Sequence, residues 1–409
     1  MKFGSTHSAY RARPRLLRAL RAMLATLAAA SLTQGAWPAQ ALAAGVASPV
    51  SRAALQTPLA LHAVMEAVAP AGDRRLVAVG ERGIVLLSDD LGRHWRQAAA
   101  VPVSVTLTCV QFVDAQRGWA AGHAGVVLST EDGGEHWTRK LDGVDAARVA
   151  LQEATGLVPA QPSVVPVAPG SSPADVALNN ARRLVKEGAD KPFLSLWFTD
   201  AQHGTVVGAY GLAAHTDDGG RTWQSWSARI GDLRSLHLYS VRQRGDALWV
   251  AGEQGFVARS DDAGRRFTTV RTPYKGSFFA LGIGADGTVM LGGLRGNTFR
   301  TTDGGASFST IAPDGQITIT DIVSAPDHTW LFANQAGQVF ASRDAGGSFT
   351  PLVPHAGMPL NGIAVTNSGE VIGAGFGGVA PVAALTAGTN RTPPNMTATG
   401  AHDDSGVKR

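Results

Sequence analysis

The chain has 409 residues, 44% of them hydrophobic and only 17% charged, with 49 glycines. That composition excludes a disordered polymer and suits a turn-rich all-β protein. The formal net charge of +4 misleads: six of the 36 basic residues (Lys2, Arg11, Arg13, Arg15, Arg18, Arg21) precede residue 44, where no acid stands, leaving 30 bases against 32 acids, about −2. No basic excess remains to neutralise the phosphates of a nucleic acid.

The first segment reads as a secretory signal. Arg11 to Arg21 form a positive region, Met23 to Leu32 an apolar core, and Ala41-Leu42-Ala43 a small-x-small cleavage site. The apolar run is short for a membrane anchor, which takes about 20 residues. Residues 1–43 are therefore expected to be removed on export. The single cysteine, Cys109, has no internal disulfide partner. It sits in an apolar strand, VTLTCVQFV, and is expected to be a buried small hydrophobe. Export without disulfides, behind an Ala/Arg-rich leader, points to a bacterial periplasmic protein.

From residue 59 a repeat takes over, clearest at residues 121–137, AGHAGVVLSTEDGGEHW. It reads Gly-x-x-Gly, an apolar run, then Ser/Thr-x-Asp-x-Gly-x-x-Trp/Phe. Six copies place the second glycine at Gly83, Gly125, Gly211, Gly255, Gly296 and Gly337. Five residues later stands a hydroxyl: Ser88, Thr130, Thr216, Ser260, Thr301, Ser342. Then come the aspartates Asp90, Asp132, Asp218, Asp262, Asp303 and Asp344, and last an aromatic: Trp95, Trp137, Trp223, Phe267, Phe308, Phe349. A seventh turn, at Gly375 and Gly378, lacks the second half. Invariant offsets at a period of forty-odd residues, with four strand-like runs per unit, mark propeller blades. The first turn is a hairpin in which glycine supplies positive φ. In the second turn the Asp carboxylate can bond its own backbone. The fold class expected is all-β: a seven-bladed propeller of four-stranded antiparallel blades over residues 59–385. The last blade lacks a recognisable fourth strand, and residues 44–58, through Val50 to Gln56, are expected to complete it.

The spacing between the second and third units is about double the others. Both units open on Asp-Ala-Gln-x-Gly, so residues 141–192 between them are an insertion. Ala147, Ala150, Leu151 and Ala154 recur at helical spacing, as do Ala177, Leu178, Ala181, Leu184 and Val185. Between them lies the Pro-rich run VPAQPSVVPVAPGSSP. Two short helices on a flexible arm are expected. The tail, 386–409, is polar and Pro/Thr/Gly-rich, a disordered composition.

The second phrase resembles the Asp-box, or BNR, repeat of sialidases and related propellers. The resemblance implies that the six aspartates are structural. Seven blades with Asp-Ala-Gln-x-Gly-Trp strand openings resemble the photosystem II stability and assembly factor family, nearest to its relatives in non-photosynthetic bacteria. That implies a non-catalytic assembly or interaction scaffold for a membrane protein complex, as a monomeric propeller. The helical insertion departs from the family pattern.

Catalytic chemistry finds little support. A sialidase-like site would need an Arg triad, a Tyr nucleophile with a Glu, and an Asp. Of Tyr210, Tyr239 and Tyr274 only Tyr210 lies in a Gly-x-x-Gly turn, and no Arg-Ile-Pro signature precedes blade one. A glycoside hydrolase or carbohydrate-binding propeller is the alternative reading. The histidines are scattered and Cys109 has no partner thiol, so no metal site is expected. The string GAGFGGV precedes no helix, so no phosphate loop or other cofactor site is expected either. Antiparallel blades put the Gly-x-x-Gly turns and the blade-to-blade connections on one face, the Asp turns on the other. Binding-face candidates are therefore the residues between the paired glycines: Glu81, Arg82, His123, Tyr210, Glu253, Gln254, Leu294, Arg295, Gln335 and Phe376. The insertion leaves the ring on that same face.

Overall fold

The structure, a computed structural model, describes residues 47–157, 172–232, 234–311, 313 and 315–385. The expected leader, the Pro-rich arm at 158–171 and the tail at 386–409 lie outside the described residues. The chain divides at Ser48, and the unit from Ser48 onward holds every described strand and helix. No helix among the described residues is long and apolar enough to cross a membrane.

The unit is a seven-bladed propeller. Each blade is an antiparallel sheet whose strands follow chain order outward. The innermost strands are Met65–Ala71, Leu107–Phe112, Phe193–Phe198, Leu238–Arg244, Phe278–Ile283, Ile319–Ser324 and Leu360–Val365. Each packs against the next, and the last against the first, so the ring is closed. Asn361 Nδ2 donates to Met65 O at 3.1 Å across that closure, and Asn367 Nδ2 to Asp73 Oδ1 at 2.7 Å. The core lies between adjacent blades, where fully buried Phe193, Phe278 and Phe332 alternate with Val, Leu and Ala from the second and third strands.

Six blades have four strands; the seventh has three among the described residues. The segment Val50–Gln56 does not complete it. Ala54 N donates to Val101 O at 3.0 Å, Ser104 N to Pro49 O at 2.8 Å, and Gln56 Nε2 to Ala98 O at 3.0 Å. The segment thus covers the connection from blade one to blade two. The physical reason is bonding supply. That connection has unpaired backbone groups to satisfy, whereas the outer strand of blade seven, Gly378–Ala384, carries Pro381 and skips register at Val382, opposite Val371/Ile372. A proline and a bulge blunt an edge strand against further pairing.

The Asp turns are alike in all six blades. Ser88, Thr130, Thr216, Ser260, Thr301 and Ser342 each donate Oγ–H to the Asp Oδ1 at 2.8–2.9 Å. The same hydroxyl accepts the N–H of the turn glycine at 2.8–3.0 Å. The Asp Oδ1 then accepts the N–H four residues on, at 2.8–3.0 Å. Where the aromatic is tryptophan, its Nε1–H closes onto the glycine carbonyl, at 3.0 Å for Trp95, 2.8 Å for Trp137 and 3.2 Å for Trp223. Neighbouring blades lock onto these turns: Trp119 Nε1 donates to Gly219 O at 3.2 Å and Arg300 Nη1 to Ala345 O at 2.7 Å.

The bonds hold the carboxylates ionised. Donation from Ser307 and Thr301 brings Asp303 down to about 2, and Ser348 with Ser342 does the same for Asp344. A carboxyl whose folded pKa lies below its unfolded value, about 3.9, adds stability present above that value and lost as pH falls through the folded one. The urea midpoint is expected to fall steadily between pH 4 and 2, and less steeply in an Asp303→Asn/Asp344→Asn double variant. A midpoint flat down to pH 2 would contradict the clamp.

Candidate functional site

The Gly-x-x-Gly turns are built by two steric constraints. In blade one the Ile84 N–H returns to Glu81 O at 2.9 Å, and Arg82 and Gly83 both have positive φ, 55° and 72°. That is the type I′ hairpin turn, whose twist matches the strands. Ala124, Tyr210, Gln254 and Arg295 sit in the same left-handed conformation. The first glycine answers a different need. A Cβ at Gly208 would lie 2.2 Å from Pro192 O, and that carbonyl accepts the Ala209 N–H at 3.0 Å. The incoming chain of each blade crosses its own turn there. Blade six departs: Asn334 stands in place of the first glycine, and its side chain accepts the N–H groups of Ala336 and Gln338, both at 3.0 Å.

The turns display Arg82, His123, Tyr210, Gln254, Leu294, Arg295, Gln335 and Phe376 in the exposed class, with Phe376 at 62%. Glu81 and Glu253 point inward instead. Glu81 Oε1 accepts the Val64 N–H at 3.2 Å and Glu253 Oε2 the His237 N–H at 2.8 Å, so both tether the incoming chain. Gln254 Oε1 accepts from Arg234 Nη1 at 3.3 Å.

A second set of residues was missed in the sequence. Every innermost strand skips register once, at the same place, two residues after that crossing carbonyl. The bulged residues are Glu66, Thr108, Leu194, Tyr239, Phe279, Thr320 and Asn361, and all seven line one cavity of about 220 Å³ in the central channel. A bulge leaves its extra residue unpaired and re-aims its side chain. Each lies 17 residues before the second turn glycine, or 16 in blade four. The constant offset was available in the sequence; its meaning was not, because period-two alternation assigns a bulged residue to the wrong face. Cys109 also lines this cavity. It is half-buried instead of sealed in the core, and burial pushes its thiol up to about 11.

The two sets meet at blades three to five. Tyr210 packs at a tilt of 49° against His237 with centroids 4.8 Å apart, His237 neighbours Tyr239 at 6.1 Å, and Tyr239 meets Phe279 at 4.8 Å. This line of rings runs from the turn face into the channel mouth. Lys191 Nζ lies 5.0 Å and the Arg183 guanidinium 5.8 Å from the Tyr210 centroid, a cation–π geometry. Glu253 stands beneath, 3.1 Å from His237 Nδ1 and 3.5 Å from the Tyr239 hydroxyl. Burial and the Glu253 charge push the Tyr239 phenol up to about 12. The tyrosine beside a glutamate is therefore Tyr239, not Tyr210, and its surroundings oppose ionisation. Arg242 is the one arginine lining this cavity among the described residues, not a triad.

Two helices from the insertion wall this area: α1 (Gly143–Leu157) and α2 (Pro173–Glu187). Asp142 caps α1 by accepting the N–H groups of Val144 and Asp145 at 3.0 and 3.1 Å. Ser172 caps α2, with Pro173 in the first turn and Gly188, φ 82°, ending it. Ala146, Ala147, Ala150 and Ala154 of α1 and Ala181 and Leu184 of α2 join the core around Trp119, Phe193 and Phe198. Val185, expected on the apolar stripe, is 47% exposed. Helix α1 touches the blade-two turn, His123–Gly125, and the outer strand of blade three, Gln224–Ser225; α2 touches α3 (Ser227–Ile230). Arg183 reaches Tyr210 from α2, so the pair forms a side wall of the turn face.

This geometry defines the class: a seven-bladed β-propeller of Asp-x-Gly blades with an aromatic channel mouth. A family model described as photosynthesis system II assembly factor YCF48 matches residues 174–355. The photosystem II assembly lipoprotein Ycf48 of Synechococcus sp. (strain CC9902) is 36% identical over 75 residues, 18% of this chain and 22% of the relative. The alignment thus spans about a fifth of that curated protein. A solved structure of YCF48 bound to D1 peptide aligns with a TM-score of 0.56 at 15% identity, covering 83% of this chain and 98% of that one. YCF48 from Cyanidioschyzon merolae aligns at 0.53 and 18%, covering 80% and 96%. The WD40 propeller domain of Doa1, at 0.54 and 11%, covers 81% and 95%, so the structural likeness by itself shows the fold. With the repeat and the aligned sequence added, the chain resembles the photosystem II stability and assembly factor family.

Proposed function

We propose that the chain is a non-catalytic periplasmic scaffold that assists assembly of a membrane protein complex by holding an extended segment of one subunit. The observation that carries this reading is the aromatic line Tyr210–His237–Tyr239–Phe279, flanked by Lys191 and Arg183. Rigid rings beside cations make the anchors typical of interface hot spots. Family likeness supports it, because a structure of YCF48 is described as bound to D1 peptide. The periplasmic placement rests on the sequence of residues 1–43.

Photo-crosslinking in the native host tests the proposal. A crosslinker at position 210 is expected to capture a membrane-complex subunit, and one at position 93, beside an Asp turn on the other face, is not. Tyr210→Ala and His237→Ala, both in exposed or half-exposed settings, should each weaken association with that subunit about tenfold or more at unchanged melting temperature. Equal capture from both faces, or turnover of a glycoside abolished by Tyr239→Phe, would sink the scaffold reading.

A further inference from the structure

The other end of the channel is chemically different. It opens beside the strand-one to strand-two turns as a cavity of about 550 Å³. Arg242, Arg244 and His328 line it, and no carboxylate does. The remaining wall is largely apolar, with Val68, Ile283, Ile322, Val323, Ile363 and Val365. Trp197 and Arg242 line this cavity and the aromatic one alike, so the two adjoin there.

Arg242 has no direct ion-pair partner. Its Nη1 donates to Ser195 Oγ at 3.2 Å and Val241 O at 2.8 Å, both neutral. Its guanidinium carbon lies 5.4 Å from the Trp197 ring centroid, a cation–π contact. Among the described residues it makes no ion pair. The charge of Asp321 attracts it without a direct bond, since the Asp321 oxygens accept the backbone N–H groups of Ile322 and Ile363, at 2.9 and 3.0 Å. Burying a guanidinium without a directly paired anion is costly, and here burial lowers its proton affinity despite the attraction of Asp321.

We propose that this end of the channel is a binding site for a carboxylate ligand, its head paired with Arg242 and its apolar body against Ile283, Val323 and Val365. A guanidinium fork suits a carboxylate in bidentate geometry. Arg244 at the rim adds attraction, and His328 beside it offers a ring N–H donor. The site adjoins the aromatic cavity but shares none of Tyr210, His237, Tyr239 and Phe279 with it, so neither reading depends on the other. The carboxylate belongs either to a small organic acid or to the free C-terminus of a polypeptide.

Calorimetric titration of the full mature chain separates these sources. The probes are benzoate, neutral benzamide, an N-acetylated pentapeptide ending in a free leucine carboxylate, and its C-terminal amide. At least one acid is expected to bind at millimolar concentration or better, and its amide about tenfold more weakly or not at all. Benzoate alone binding identifies a small acid; the free-acid peptide alone identifies a chain terminus. Arg242→Gln should fold, with a melting temperature equal to or above that of the parent, and lose the preference for acid over amide. The acid–amide comparison in the parent protein needs no variant. Equal binding of acid and amide, binding of neither acid, or an undiminished preference in folded Arg242→Gln overturns the proposal.

Discussion

Gly208→Ala is expected to be among the most damaging single-atom additions to this protein. The new Cβ would sit 2.2 Å from Pro192 O and 2.8 Å from the Phe193 Cα, both backbone. No side chain can swing aside to relieve it. The incoming chain would have to lift, breaking the bond from Ala209 N to Pro192 O and unseating Phe193, which is fully buried. Overpacking and one stranded buried donor together suggest a loss of about 3 kcal/mol or more. Backbone strain plays no part, because Gly208 is extended at φ −167°. Gly156→Ala is the matched control. Nothing lies within 4 Å of its added Cβ, and an alanine in that helical turn should stabilise by up to about 1 kcal/mol. Thermal melting decides: if Gly208→Ala melted within about 2 °C of the parent, the crossing would be looser than its distances imply.

Leu184→Asp should detach the helical wall without opening the ring. Leu184 is buried in the cluster with Phe193, Phe198 and Trp119. A carboxylate there has no partner and would cost about 4 kcal/mol or more. Helices of fifteen residues are marginal alone in water, so the wall is expected to melt as a unit. Hydrogen exchange should rise throughout α1 and α2 while the strands of blades four to seven stay protected. Arg183 would then leave Tyr210, and association with the partner subunit should weaken as well. Deleting the insertion outright is a harsher change than its removable position in the repeat suggests, because seven of its residues are core. Uniform loss of protection across all blades would show that the wall is integral to the ring.

The blades were readable because everything that defines one is local. A hydroxyl, a carboxylate and a glycine within five residues must bond one another whatever surrounds them, and six invariant spacings showed that they do. The two helices were readable from a signal just as local, the helical spacing of Ala147, Ala150, Leu151 and Ala154 and of Ala177, Leu178, Ala181 and Leu184. The turn residues do share one face, but Glu81 and Glu253 proved to be tethers, because a side chain's direction depends on a chain segment some sixteen residues away.

What the sequence by itself determined is therefore the blade, its count and its turn chemistry. The tertiary structure alone decided what faces the channel, what covers the first connection, and which charges lack a direct ion pair. The channel gathers one bulged residue from each of seven blades, forty or more positions apart, and the bulge breaks the alternation by which a strand's inner face is read. Val50–Gln56 lies along residues 97–104 because that stretch had open backbone bonds, a demand no pattern within the segment announces. Arg242 reads as one more polar residue in an amphipathic strand; only closing the ring sets it beside Trp197 with its direct bonds to neutral oxygens and no carboxylate bonded to it.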